Sequence, residues 1–153
     1  MNSRSETRAR PSVAAPRAAG VRAGPSSLLT PAQARQLVRR TLTALGPVRA
    51  SQVDDLLLVT SELVTNAHRH GGGVTSFGIA VGGDRVTVSV ADSSGEPPRH
   101  EPREGLRPGG YGWPIVLRLC REVTVDTRPD GKTVHAAVAV HRRAEPDSGV
   151  HHQ

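Results

Sequence analysis

Apolar residues recur at helical spacing in the first patterned part of the chain. Leu37, Val38 and Leu42 fall on one side of a helix, which is the pattern of an amphipathic segment. Thr30 precedes this run, and Gln33 stands three positions after Thr30. This spacing is that of a capping box at a helix N-terminus. We therefore predict a first helix that begins after Thr30 and ends at the glycine-proline pair that follows the run.

A second pattern of the same period runs from Ser51 to a triple glycine at residues 71–73. Asp54 and Asp55 stand near its beginning, and negative charge in the first turn of a helix is favoured by the peptide dipoles. We predict a second helix from about Ser51, with both aspartates in its first turn.

Strand-like alternation follows the triple glycine. Val86, Val88 and Val90 alternate with threonine and serine within residues 85–91, which indicates a strand with one buried face. Together with residues 74–81, this segment predicts a β-hairpin joined by a short glycine-rich turn.

Residues 92–110 break every pattern, because they contain four prolines and four glycines. A loop of that length inside a small domain is typical of a functional lid or of disorder. After it, the spacing predicts a short helix at about 113–121 and two further strands, near 122–128 and 132–141.

The resulting order, α-α-β-β-α-β-β, predicts an α+β fold. We expect a two-layer α/β sandwich whose mixed, mostly antiparallel sheet is covered by helices on one face. The domain is predicted at residues 28–141. A disordered basic tail is predicted at residues 1–27, and a polar tail at residues 142–153.

The formal net charge of +6 is concentrated outside this domain. Residues 1–30 hold five arginines and one glutamate, so the predicted domain is close to neutral. A basic tail of this kind is either a solvated arm or a contact for acidic partners. With only three aromatic residues in the chain, direct nucleic-acid binding by the domain is not predicted.

A single cysteine, Cys120, excludes an internal disulfide and fits a reducing compartment. The chain contains no apolar run near the ~20 residues of a membrane span, and its N-terminus lacks the apolar core of a secretory signal. We therefore predict a cytoplasmic protein without a membrane segment, although the N-terminal composition also fits a transit peptide.

Three polar residues share one side of the second predicted helix. Glu62, Asn66 and His70 are spaced four apart, so each step drifts by only ~40° around the axis. Carboxylate and carboxamide oxygens one turn apart suit Mg²⁺, which prefers oxygen ligands and retains water. Taken alone, the same spacing also fits a solvated polar stripe.

Further candidates follow in the second half of the chain. Asp92 ends a valine-rich strand, where a carboxylate can accept a hydrogen bond from an exocyclic amine such as that of adenine. Gly110 and Gly112 precede a predicted helix, and glycines there let backbone N–H groups approach phosphate. Taken separately, these features also fit an ordinary turn and a glycine hinge. Thr133 opens the last strand, where alone it indicates only a turn exit.

In combination these motifs resemble the Bergerat ATP-binding fold of histidine kinases and type II topoisomerases. The stretch Ser61-Glu62-Leu63-Val64-Thr65-Asn66-Ala67, with His70-Gly71, is similar to the anti-sigma-factor serine kinases of that family. The resemblance covers residues 28–141. It implies an ATP-binding regulator of transcription.

The resemblance also implies a role for each matching residue. Glu62 would act as general base, and Asn66 would hold Mg²⁺ against the phosphates of ATP. Asp92 would bind the adenine amino group with support from Thr133. Gly110 and Gly112 would belong to a lid over the nucleotide.

Two functions follow, and the sequence leaves both open. The first is a serine/threonine kinase and anti-sigma factor that acts on an anti-anti-sigma partner. The second is a nucleotide-gated module that sequesters a sigma factor or another protein without chemistry. The second is favoured by a departure from the family, in which Trp113-Pro114 follows Gly112. Because family members commonly dimerise, a homodimer also stays open.

Overall fold

The computed structural model describes residues 29–98 and 112–143. The predicted N-terminal tail, most of the predicted C-terminal tail, and Gly110 within the predicted lid lie outside the described residues. The described elements are α1 Pro31–Leu45, α2 Ala50–His70, β1 Val74–Gly82, β2 Arg85–Asp92, α3 Gly112–Leu119, β3 Glu122–Arg128 and β4 Gly131–Ala139.

The capping box predicted for α1 is confirmed. The backbone N–H of Gln33 donates to Thr30 Oγ1 at 3.1 Å, and the Thr30 N–H donates to Gln33 Oε1 at 3.0 Å. Gly46 ends the helix with a φ of 93°, a conformation that glycine adopts without steric cost. The predicted bounds of α1 therefore rest on local chemistry at both ends.

The start of α2 differs from the prediction. The helix begins at Ala50, and Asp54 and Asp55 lie beyond its first turn, which contains no acidic residue. No side chain caps this N-terminus. The first turn is held instead by a long-range contact, in which the Gln52 amide lies 2.8 Å from His141 Nδ1 and accepts from the His141 N–H at 2.6 Å.

The four strands form one sheet in the order β1-β2-β4-β3, with every described pairing antiparallel. The helices pack on one face of it, where valines of β2 and β4 form the core with α1 and α2. The predicted two-layer sandwich is confirmed. Its sheet lies at the antiparallel end of the predicted class.

The other sheet face carries a polar network that joins three strands. Ser89 Oγ on β2 lies 2.7 Å from His135 Nδ1 on β4, and His135 Nε2 lies 3.1 Å from Asp126 Oδ2 on β3. Cross-strand pairs of this kind stabilise a sheet by fractions of a kcal/mol to about 1 kcal/mol each. Because side chains alternate along a strand, Thr133 lies on the same face of β4 as His135.

The single cysteine, Cys120, is partly buried. Burial raises the pKa of the Cys120 thiol to about 11, and the nearby Asp55 adds to the effect. At neutral pH the thiol is therefore protonated and a weak nucleophile.

Among the described residues, no helix has both the length and the apolar character that crossing a bilayer requires.

Candidate functional site

A cleft lies where the C-terminal half of α2, the end of β2 and the start of β4 meet. It measures about 340 Å³, including the space at its open mouth. Its apolar walls come from α2, β2, α3 and β4, and are formed by Leu63, Ala67, Val90, Trp113 and Val134. A concave, mostly apolar cleft with a few polar groups is the usual form of a small-molecule site.

Asp92 is the buried carboxylate of this cleft. It is the last residue of β2 and is 5% exposed. Its Oδ2 lies 2.8 Å from Lys132 Nζ, and its Oδ1 accepts from Lys132 Nζ at 3.0 Å and from the Ser94 N–H at 2.9 Å. Asp92 and Lys132 are direct partners in the β2–β4 register, so strand pairing alone brings the two charges together.

Two glycines allow the backbone to close around Asp92. A Cβ at Gly71, just after α2, would overlap the Asp92 side chain, and a Cβ at Gly131 would overlap its backbone carbonyl. Ser93 closes the same corner, since its hydroxyl donates to the Gly71 carbonyl at 2.9 Å. The end of α2 and the start of β4 are therefore packed directly on this carboxylate.

Glu62 lies on α2 against the first residue of α3. Gly112 is buried, and a Cβ there would overlap the Glu62 carboxylate. Burial raises the pKa of Glu62 above its ordinary value, and the nearby positive charge of Arg69 opposes this with a smaller effect. A carboxylate with a raised pKa is a stronger base than one in water, which is the property that general base catalysis requires.

Asn66 lies one turn after Glu62 and lines the cleft. Its Nδ2 is buried and has no hydrogen-bond partner among the described residues. Buried amides are normally satisfied, so an unpartnered one in a cleft fits a group that takes a ligand.

The described residues fit Mg²⁺ held with the help of a ligand, and not by the protein alone. They contain no cluster of three histidines, cysteines or carboxylates able to hold a metal ion. Mg²⁺ is commonly bound through one or two protein oxygens together with substrate phosphates and water. Asn66 would supply such an oxygen, with the Glu62 carboxylate one turn away.

The predicted site residues are brought together only in part. Asn66 and Asp92 line one cleft, which His70 also borders, and Glu62 and Gly112 meet beside it. Thr133 is not brought to Asp92, because its hydroxyl lies on the other sheet face and accepts from Arg128 Nη1 at 3.1 Å.

Sequence reasoning missed Lys132. Its signal was the two-residue period of β4, in which Lys132 shares a face with the core residue Val134 and Thr133 does not. A lysine on the buried face of a strand, opposite a strand-end aspartate, indicates an ion pair.

Comparison with known proteins identifies the family and the fold. The sequence model of the family described as "Histidine kinase-like ATPase domain" matches residues 28–138. Among solved structures, the chain is similar to one described as the crystal structure of the RsbU and RsbW domains of Rv1364c from Mycobacterium tuberculosis. That match has a TM-score of 0.61 and 20% identity, which is evidence of a shared fold.

The match covers 82% of this chain and 33% of the other, so this chain spans about a third of that solved chain's length. No curated protein matches the chain. The chain belongs to the histidine kinase-like ATPase domain family. Membership confirms the predicted fold family and implies a nucleotide-binding domain of the ATPase or kinase type.

We predict that Gly112→Ala disturbs the site. The added methyl group would overlap the Glu62 carboxylate. Because this carboxylate is the end of a flexible side chain that can move aside, we expect a cost of about 1 kcal/mol, the low end for overpacking. Urea denaturation should show that loss of unfolding free energy. Gly82→Ala is the matched control, because a Cβ there meets nothing within 4 Å. A Gly112→Ala protein as stable as the control would contradict the close approach.

A second prediction follows from the raised pKa of Glu62. Ionisation of this group is less favourable in the folded than in the unfolded chain, so its charge lowers stability once the pH exceeds its folded pKa. Glu62→Gln should therefore increase the free energy of unfolding near pH 7, and the gain should vanish as the pH falls below the ordinary value of 4.5.

Denaturation at both pH values measures this difference. Glu122→Gln is the control, because Glu122 belongs to an exposed surface ion pair and such pairs contribute little. A Glu62→Gln protein less stable than wild type at pH 7 would show that the carboxylate is stabilised by its surroundings instead.

Proposed function

We propose that the protein binds ATP with Mg²⁺ in this cleft and transfers the γ-phosphate to a serine or threonine of an anti-anti-sigma protein. In this role it would act as a protein kinase and anti-sigma factor in transcription control. Family membership supports the nucleotide, and the motif around Glu62 and Asn66 supports the kinase and its partner.

The floor of the cleft supports adenine recognition. Asp92 is a buried acceptor in an apolar cleft that Val90 and Val134 also line. These two valines are cross-strand partners on one face of the sheet, and a planar base lying on them would bring its amino group to the carboxylate. A hydrogen bond between a neutral donor and a charged acceptor is worth about 1.5–3 kcal/mol.

The face of α2 supports a phosphate site above that floor. Asn66 carries the unpartnered amide, and its oxygen suits a hard cation. When bound, Mg²⁺ would supply positive charge to the phosphate oxygens. Asn66 would orient the nucleotide from this position, one turn before His70, which also borders the cleft.

Glu62 supports the transfer step. The base must accept the proton of the attacking hydroxyl, and the raised pKa of Glu62 suits that task. The packing of Gly112 against Glu62 also places the start of α3 beside this general base. The observation that carries the proposal is the meeting of Asn66 and Asp92 in one cleft, with Glu62 one turn before Asn66 on α2.

A second candidate is a nucleotide-gated binding module without kinase activity. Phosphoryl transfer depends on positive charge at the transferring group. Among the described residues that line the cleft, Lys132 is the only lysine or arginine, and it is held by Asp92. Such a module would bind a sigma factor or another partner according to its nucleotide state.

The first test is isothermal titration of the protein with ATP, with and without Mg²⁺. We expect Mg²⁺-dependent binding. Asn66→Ala should weaken it about tenfold or more and reduce the Mg²⁺ dependence, whereas Asp92→Ala should weaken it at either Mg²⁺ level, because it removes a charge-assisted hydrogen bond. Thr133→Val, which changes the other sheet face, is the control. A folded wild-type protein that binds no ATP would exclude both candidate functions.

The second test separates the candidates by phosphate transfer. γ-Labelled ATP, Mg²⁺ and a panel of anti-anti-sigma proteins are incubated with wild-type protein and with Glu62→Gln. For a kinase, Glu62→Gln should retain ATP binding and reduce labelling by about 10²–10⁴-fold, the usual contribution of a general base. ATP binding with no labelled protein would favour the gated module.

A further inference from the structure

Lys132 is buried beside the carboxylate that the proposed function assigns to base recognition. The side chains of Lys132 and Asp92 are each 5% exposed, and Nζ lies 2.8 Å from Oδ2. Lysine is almost never fully buried unless it is paired. Buried ion pairs are also weak evidence for stability, since apolar replacements often do as well. The pair therefore calls for an explanation in terms of the cleft.

The hydrogen bonds of Asp92 leave room for one more donor. A carboxylate offers four acceptor directions. The described residues use two on Oδ1, from Lys132 and the Ser94 N–H, and one on Oδ2, from Lys132. The remaining direction belongs to Oδ2. Asp92 lines the cleft, and we infer that a ligand in the cleft would use this direction.

The carboxylate is also held in orientation. Gly71 and Gly131 pack against its side chain and its backbone carbonyl, and the Ser94 N–H fixes Oδ1 at 2.9 Å. Lys132 Nζ bridges both oxygens. The ammonium group thus sets which oxygen direction stays open.

The ion pair with Lys132 controls what Asp92 offers to a ligand. Nζ of Lys132 lies within 3.0 Å of both Asp92 carboxylate oxygens, so it keeps the carboxylate in one orientation. A buried carboxylate that loses its paired cation is left uncompensated, which is costly, and its side chain would turn towards other donors. With Lys132 in place, Asp92 offers one acceptor direction in a fixed orientation. Without it, that direction would no longer be fixed.

Resting on the proposed nucleotide binding, we propose that Lys132 is a positioning residue that makes the cleft select a 6-amino purine over a 6-oxo purine. It does so by holding the Asp92 carboxylate in one orientation, with one acceptor direction left open. It makes no contact of its own with the base, and its effect passes through Asp92.

ATP and ITP are the probes that isolate this effect. They share ribose and triphosphate and differ at the base, where ATP carries an amino donor at position 6 and ITP a carbonyl acceptor. In the wild type, the amino group meets an acceptor and the carbonyl meets a like group. We expect ATP to bind roughly ten- to a hundredfold more tightly than ITP.

The test is the ratio of ATP to ITP affinity in Lys132→Met, measured by titration with Mg²⁺ present. The variant should bind ATP about tenfold more weakly and ITP as well as or better than wild type, so that the ratio falls towards one. A merely structural role would weaken both nucleotides alike and leave the ratio unchanged.

Two companion variants keep the test decisive. Thr133→Val changes the adjacent residue on the opposite sheet face and should leave the ratio at its wild-type value. If Lys132→Met does not fold, as judged by thermal denaturation, Lys132→Gln removes the charge but keeps a polar donor. It should lower the ratio in the same direction.

Each outcome decides between named alternatives. A wild type that binds ATP with a ratio unchanged by loss of the lysine overturns this inference and leaves the proposed function standing. A ratio that rises overturns it too, because Lys132 would then donate directly to the 6-oxo group. A wild type that binds neither nucleotide overturns the proposed function and this inference together.

Discussion

Asp92 and Lys132 form an ion pair that is almost entirely buried, and three segments of backbone must fit around it. Separating the two charges, or removing one, would leave the other buried and uncompensated, which costs about 3–5 kcal/mol in proteins. The end of β2 and the start of β4 are therefore tied in register. The loop after α2 is tied to the same point through Gly71. The geometry of the cleft follows from this constraint.

The apolar layer explains why such a pair can exist in a domain with so few aromatic residues. Valines on β2 and β4 and leucines on α2 form a continuous core beneath the cleft, and Phe77 is the largest side chain fully buried in it. Branched aliphatic residues fill the space between a sheet and two helices without voids. Among the described residues, the two buried charged groups thus lie at the end of this layer, where β2 ends and β4 begins.

Much of the fold was predictable from the sequence because its signals are local. The capping box of α1, the alternation of β2 and the turn before β4 each depend on neighbouring residues. The placement of Asp54 and Asp55 was wrong because α2 starts earlier, and its first turn is held by His141, far along the chain.

The positions of the candidate residues on their elements were predictable, but their side-chain directions were not. Helical spacing places Glu62 and Asn66 on one side of α2, and Asp92 ends a strand, whereas the role of each residue was implied only by the family resemblance. Lys132 was missed in favour of Thr133 because the two are adjacent, and only strand parity and register distinguish them. The raised pKa of Glu62 likewise depends on burial in the fold, which no sequence motif records.

The contact between Gly112 and Glu62 links the burial of this carboxylate to the packing of α3. The first turn of α3 contributes to the burial of Glu62 through Gly112. Moving this turn away from α2 would rehydrate the carboxylate and lower its pKa towards the ordinary value. In the proposed kinase, the strength of the general base would therefore depend on how α3 packs against α2.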